Sequence, residues 1–254
     1  MEKVEGVRIN KYLSEAGVCS RRQADALINE KRVRIDTELA QPGSKVCKGS
    51  HVFVDGKEVR LQEEMVLLAF NKPVGIVCTT TDKQGKNNIV DYIGYDKRIY
   101  PVGRLDKESE GLILMTNNEQ LMDDILRSAN GHEKEYIVEV DKRIDDDFVR
   151  AMSGGIYLEE LDRTTNPCKV EKIGQKTFRI ILTQGLNRQI RRMCASLGLK
   201  VVSLKRVRIM NIMLGDLKTG TYRQVTKAEY DKLLKLTKKD GRPGGKNSGK
   251  VRRQ

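Results

Sequence analysis

An α+β fold with a mostly antiparallel sheet is predicted for this chain, on three observations. Strand-like apolar runs are dispersed through residues 66–204, and helical patterns fall between only some of them. Strands and helices therefore do not alternate strictly, as a parallel α/β sheet would require. Two capping boxes, Ser20-Arg21-Arg22-Gln23 and Thr226-Lys227-Ala228-Glu229, open helices near opposite ends of the chain. A polar stretch at residues 61–65 reads as a linker and separates a small N-terminal unit, 1–60, from a larger one, 66–237.

In the first unit, Ile9, Leu13 and Ala16 give a short helix that stops at Gly17. Ala24, Leu27 and Ile28 then supply the apolar face of the helix opened by Ser20. The runs Val33–Ile35 and Val52–Val54 follow, the latter running into Asp55-Gly56, a hairpin turn signal. Two small helices and a small sheet result, with Arg8, Lys11, Arg21, Arg22 and Arg34 on or near the helices. In the second unit, strands are expected at Val66–Phe70, Gly75–Cys78, Leu112–Thr116, Tyr136–Val140, Phe178–Leu182 and Val201–Leu204. Helices are expected at Glu119–Ser128, Asp145–Met152, Arg188–Leu197 and Lys227–Leu236. Residues 238–254 lack apolar anchors and are expected to form a disordered basic tail.

Composition narrows the function classes. The 254 residues carry a formal net charge of +13, which suggests a polyanionic partner. The charge is locally concentrated: Leu186 to Met210 holds seven basic residues and no acid, the footprint expected of phosphate contacts. No apolar stretch reaches transmembrane length and the start, MEKVEGVRIN, has no apolar leader, so a cytoplasmic protein with no membrane partner is expected. The five cysteines form no C-x-x-C pair and none has a histidine at ligand spacing, so no metal site is expected. Neither G-x-G-x-x-G nor a phosphate-loop pattern occurs. Any catalysis would have to rest on carboxylate, tyrosine and arginine.

Residues 101–116, PVGRLDKESEGLILMT, supply such a carboxylate. Asp106 follows Gly103, Arg104 and Leu105 and precedes a polar turn, after which comes an apolar run of strand length. On its own, Asp106 reads more readily as a turn-capping residue. Arg188, Arg191 and Arg192 stand near the start of a helix whose buried face is Ile190, Met193, Cys194 and Leu197. Cations there oppose the helix dipole and call for nearby anions, whether RNA phosphates or protein carboxylates. Tyr136 is either a core aromatic or a stacking platform for a base.

Taken in order, NKPVG, GRLDKESEGLILMTN, KEYIV and GLNRQIRRM resemble the RsuA/RluF-type rRNA pseudouridine synthases, with wording nearest the F-type enzymes that act on 23S rRNA. VRINKYLSEAGVCSRRQADALI resembles the RNA-binding domain first seen in small-subunit ribosomal protein four. Together these span Val7 to about Leu236. The resemblance implies an RNA-binding module joined to a mixed, mostly antiparallel pseudouridine synthase domain, working as a monomer without a cofactor. It implies Asp106 as the essential aspartate, Tyr136 as the base-stacking tyrosine and Arg191 as the aspartate's partner. Leu204 would line the uracil site, and Arg104 would help hold the target nucleotide out of its stack. With Arg188 and Arg192 these form the expected substrate-binding set. A sister branch has an arginine where Leu186 stands, which leaves Arg191 as the candidate for the ion pair. The implied partner is rRNA, 23S first, with a tRNA uridine as a second substrate. The rival readings are a non-catalytic RNA-binding or ribosome-assembly protein, for which the N-terminal module and basic patch would suffice, and a base-excising glycosidase.

Overall fold

The computed structural model describes residues 6–61, 64–79, 87–127 and 131–239. The first unit runs β1 (Val7–Arg8), α1 (Ile9–Glu15), α2 (Arg21–Asn29), β2 (Val33–Ile35), β3 (Glu38–Leu39), β4 (Lys45–Val46), β5 (Val52–Val54) and β6 (Lys57–Val59). The Ser20 hydroxyl accepts from the Gln23 backbone, and the Gln23 side chain reaches back to the Ser20 N–H, so the capping box forms as expected. Strands β2, β3, β5 and β6 make one antiparallel sheet. The β5–β6 hairpin turns at Asp55 and Gly56, whose φ values of 50° and 78° suit a tight turn. Ile9, Leu13, Ala24, Ile28, Val33 and Val52 form its core.

The second unit contains β7 (Leu67–Lys72), α3 (Ile89–Ile93), β8 (Tyr100–Val102), β9 (Glu110–Thr116), α4 (Glu119–Leu126), β10 (Lys134–Val140) and α5 (Asp146–Gly154). It continues with β11 (Tyr157–Leu158), β12 (Arg163–Thr164), β13 (Lys169–Lys172), β14 (Thr177–Leu182), α6 (Gln189–Ser196), β15 (Val201–Ile209), β16 (Ile212–Met213), β17 (Tyr222–Gln224) and α7 (Lys227–Lys239). Its sheet has the order β13-β14-β10-β15-β9-β7-β17, with β8 on β9 and β16 on β15. Among the described strands of this sheet, only the β9–β15 pairing is parallel.

The two halves of this sheet are built differently, and their sequences say why. All six residues of β7 are buried. Leu67 and Ala69 join one core with Leu112 and Leu114 of β9, while Leu68 and Phe70 join another with Ile113 and Met115. A strand covered on both faces reads as a continuous apolar run. In β14 burial alternates. One face packs on α5 and α6 through Phe148, Met152, Ile190 and Met193. Elsewhere on β10, β14 and β15, Glu135 pairs with both Arg208 and Arg179.

The expected strand at Gly75–Cys78 does not form. This segment is a turn carrying one isolated bridge, Val77 to Asn88, and it packs against the Asp106 loop instead of joining the sheet. The expected helix from Arg188 begins at Gln189, because Arg188 takes a left-handed backbone with φ 51°. Lys238 and Lys239 continue α7, and the rest of the expected basic tail lies outside the described residues.

The parallel crossing places one strict demand on sequence. Gly111 has φ +102°, and a Cβ there would lie 2.3 Å from the carbonyl oxygen of Arg206. Gly111→Ala is therefore expected to destabilise the protein by at least about 2 kcal/mol, through both the backbone conformation and the clash. Urea denaturation of the variant beside the parent measures this, and an unchanged midpoint would contradict the account.

Candidate active site

Asp106 lies on the loop joining β8 to β9, and several contacts hold this loop. Leu105 is buried in the core beneath it, and its N–H donates to Cys78 Sγ at 3.4 Å. The Gly75 N–H donates to the Lys107 carbonyl at 2.8 Å, and the Ser109 N–H to the Asp106 carbonyl at 3.0 Å. Lys72, at the end of β7, is fully buried, and its ammonium donates to the carbonyls of Pro73 and Ser109, each at 2.8 Å. Burial pushes the Lys72 amine below its usual pKa. The segment Asn71–Gly75 is thus a brace for the aspartate loop. That role is not visible in the sequence, where the segment reads only as a turn.

Across the loop stands the start of α6. Arg188 Nη1 is 3.7 Å and Arg191 Nε 3.9 Å from the same oxygen of Asp106, Oδ2. These are ion pairs at charge distance, longer than hydrogen bonds. Arg191 is anchored by Nη2, which donates to Ser109 Oγ at 3.2 Å and to the Glu108 carbonyl at 3.3 Å. Arg188 also donates to Glu108 at 2.9 Å, and that bond holds the Glu108 carboxyl below its ordinary range. Cations at the first turn of α6 thus face protein carboxylates, which offset their opposition to the helix dipole. The left-handed backbone at Arg188 is the kind of local strain that clusters at functional sites.

Asp106, Arg188 and Arg191 line a cleft of about 480 Å³. Tyr136 and Leu204 line it too, on neighbouring strands β10 and β15. Tyr136 is only partly buried and packs against two cores at once, so it is both a core aromatic and a cleft wall. Arg104 is exposed and also lines the cleft. Arg192, the remaining member of the expected substrate-binding set, is not among the residues lining it. Arg192 faces a neighbouring cavity of about 760 Å³, where it pairs with Glu160 and bonds the Asn187 carbonyl at 3.0 Å. Arg188 and Arg191 line that neighbouring cavity as well, so they border both spaces, whereas Arg192, pointing about 100° further round the helix, borders only the second.

Two further cleft residues receive no role from the sequence alone. Lys134 opens β10 and Arg206 lies in β15, and both line the cleft. Lys134 opens the KEYIV segment, in which the resemblance assigns a role to Tyr136 alone. Arg206 sits inside a basic run with nothing to single it out. Burial, and secondarily the nearby Arg206, pushes the Lys134 amine down to about 8.

In the first unit, Arg8 and Arg22 are exposed. Arg34 is exposed and bonds the Thr37 carbonyl at 3.1 Å, and Lys11 pairs with Glu15 at 3.5 Å. Arg21 pairs with Glu119 of the second unit while its side chain stays half exposed. Beside that pair, Ser14 Oγ meets the Tyr100 hydroxyl at 2.9 Å and donates to Glu119 at 3.2 Å. The cysteines are free, and burial pushes Cys168 to about 11 and Cys194 to about 12, which leaves them as unreactive thiols. No helix among the described residues is long and apolar enough to cross a membrane.

This fold and cleft coincide with matches to known proteins. The RNA pseudouridylate synthase family model matches residues 66–196, and the S4 domain model matches residues 7–52. The chain therefore belongs to the RNA pseudouridylate synthase family, in its RsuA/RluF-type branch with an N-terminal S4 domain, and it is an enzyme that converts uridine in RNA to pseudouridine. It is 49% identical to the dual-specificity RNA pseudouridine synthase RluF of Escherichia coli K12, over 91% of this chain and 79% of that one. It is 31% identical to the ribosomal large subunit pseudouridine synthase B of Bacillus subtilis, over 90% and 96%. A crystal structure of a pseudouridylate synthase superposes with a TM-score of 0.67 at 28% identity, covering 89% of this chain and 99% of the other. The non-catalytic reading is set aside by these matches.

Lys134 gives a pH-dependent test of the cleft. Its folded pKa of about 8 lies below the ordinary 10.5. Between these values the unfolded chain keeps the proton and the folded chain releases it, so raising the pH through this window favours the folded state. Lys134→Met should therefore stabilise the protein at pH 7, and the gain should shrink as the pH rises from 8 to 10.5. Denaturation midpoints of variant and parent at pH 7 and pH 10 measure the effect. A loss of stability at pH 7 would refute it.

Proposed function

We propose that this enzyme isomerises a specific uridine in rRNA, 23S first and a tRNA uridine second, and that Asp106 is its catalytic carboxylate. The observation that carries this is the placement of Asp106 Oδ2 between Arg188 and Arg191, in a cleft also lined by Tyr136 and Leu204. A carboxylate can attack carbon or remove a proton, and Asp106 opens the N1–C1′ bond in one of these roles. Tyr136 stacks on the uracil, Leu204 closes its apolar side, and Arg104 at the rim holds the extruded nucleotide. The enzyme is read as a monomer, and an rRNA substrate supports a cytoplasmic location. Names of relatives agree with a ribosomal target and with more than one target, since one relative is called a ribosomal large subunit pseudouridine synthase and another a dual-specificity RNA pseudouridine synthase. Extruding a base costs a few kcal/mol, least where it is unpaired, so a loop or bulge uridine is the expected target. Residues 1–60 serve as the RNA-binding module, joined by residues 61–65 to the catalytic unit, 66–237.

Asp106→Asn is expected to abolish tritium release from RNA labelled at uridine C5 while leaving RNA affinity intact. Full turnover by this variant would sink the assignment. Pseudouridine mapping of total RNA from cells with and without the protein identifies the substrate. Exchanging Arg8 and Arg22 for Gln in the full chain should weaken RNA binding. It should also make the slope of log affinity against log salt shallower, by about 0.7–0.9 for each phosphate that the variant no longer neutralises. An unchanged slope would mean that these residues do not touch phosphate.

A further inference from the structure

The proposed roles leave Lys134 and Arg206 unused, although both line the cleft that holds Asp106 and Tyr136. Arg206 is 3% exposed, and its backbone lies in register with Tyr136 across the β10–β15 pairing. One face of its guanidinium is engaged, since Nε donates to the Leu112 carbonyl at 2.6 Å. Its Nη2 is buried and has no hydrogen-bond partner among the described residues. Lys134 donates to the His132 carbonyl at 3.2 Å, which engages one of three ammonium donors. The charge acting on Lys134 is that of Arg206; Arg206 acts on buried Lys72 in the same sense, but there the carboxylates Asp106 and Glu110 oppose it. Like charges gathered in a desolvated wall cost stability unless an anion arrives there.

We infer that Arg206 and Lys134 stabilise the uracil anion released when the glycosidic bond breaks. The C1′–N1 bond opens with its electron pair staying on N1, and the resulting negative charge spreads over O2 and O4. After the base turns, C5 bonds to C1′, the C5 proton is lost and N1 gains a proton, so the product is a neutral isomer of the substrate. Uridine itself carries no charge on the base. Donors aimed at the anion therefore act chiefly in the transition state, lowering the barrier with little effect on binding. The inference rests on the reading of Asp106 as the reacting carboxylate.

The test uses the full chain in single-turnover reactions on an rRNA fragment carrying the mapped target as uridine or as 5-fluorouridine, with disappearance of the starting nucleoside followed by chromatography of nuclease digests. Fluorine stabilises the departing uracil anion, so a variant lacking the cationic wall should be less handicapped on it. Lys134→Gln and Arg206→Gln are each expected to slow uridine conversion by a factor of about 10², with RNA affinity unchanged. The slowing should fall to about tenfold on 5-fluorouridine, and Lys134→Arg should recover most of the rate. A purely structural role would slow both substrates equally, and equal slowing in the Lys134 variant would overturn the inference even if the Arg206 variant fails to fold. Weaker affinity at an unchanged rate would also overturn it. Asp106→Asn run in parallel keeps the two readings apart, because normal turnover in that variant refutes the catalytic carboxylate, whereas equal slowing in the Lys134 variant refutes only the cationic wall.

Discussion

Gly111 and the backbone of Arg206 meet where β9 runs parallel to β15, and the contact leaves no room for a side chain. The geometry of the cleft depends on this approach. It brings the loop before β9, with Asp106, against the strand that carries Leu204 and Arg206. The apolar half of the sheet, β7 and β9, lies on one side of this seam, and the half-exposed strands β10, β14 and β15 lie on the other. A cleft at such a junction inherits rigidity from two cores, since Tyr136 packs against both. Positioning to a fraction of an ångström is what a reacting group needs.

Charge is distributed across the cleft with a clear division. Asp106 on the loop faces Arg191 of α6 and Arg188, the residue just before that helix, while the wall of β10 and β15 is cationic. Glu108, on the same loop as Asp106, engages Arg188, and Glu160 engages Arg192 of the helix. The acids that balance this strongly basic segment come from other elements, which is why the run from Leu186 to Met210 contains none. Keeping Lys72 buried beneath the loop is a stability cost accepted locally, of the kind that proteins concentrate at working sites.

Much of this was legible in the chain. Capping boxes, the hairpin turn at Asp55-Gly56 and the periodicity of the main helices are local signals, and they formed where the residues indicated. Asp106, Tyr136 and Arg191 emerged because motif resemblance carries long-range information that periodicity does not. Lys72 and Arg206 did not emerge, because their roles are created by partners far along the chain: the Ser109 carbonyl in one case and the Leu112 carbonyl in the other. Arg192 stands beside Arg191 in the sequence, whereas a helix separates neighbours by direction. Gly75–Cys78 has strand composition, yet its backbone bonds to the Asp106 loop at Gly75 and to the segment before and into α3 at Val77, rather than to a strand of the sheet.

The contact between the two units has a consequence for substrate choice. Ser14 and Arg21 reach Tyr100 and Glu119 by direct hydrogen bonds and an ion pair, so the S4 domain is docked on the catalytic unit and not merely tethered to it. A flexible tether would let a cleft sample every uridine within a sphere around the anchored RNA element. A docked module acts as a ruler. It fixes one separation and one orientation between its own surface and the cleft, so an RNA held by both would have to match that geometry in three dimensions and not only in the letters around the uridine.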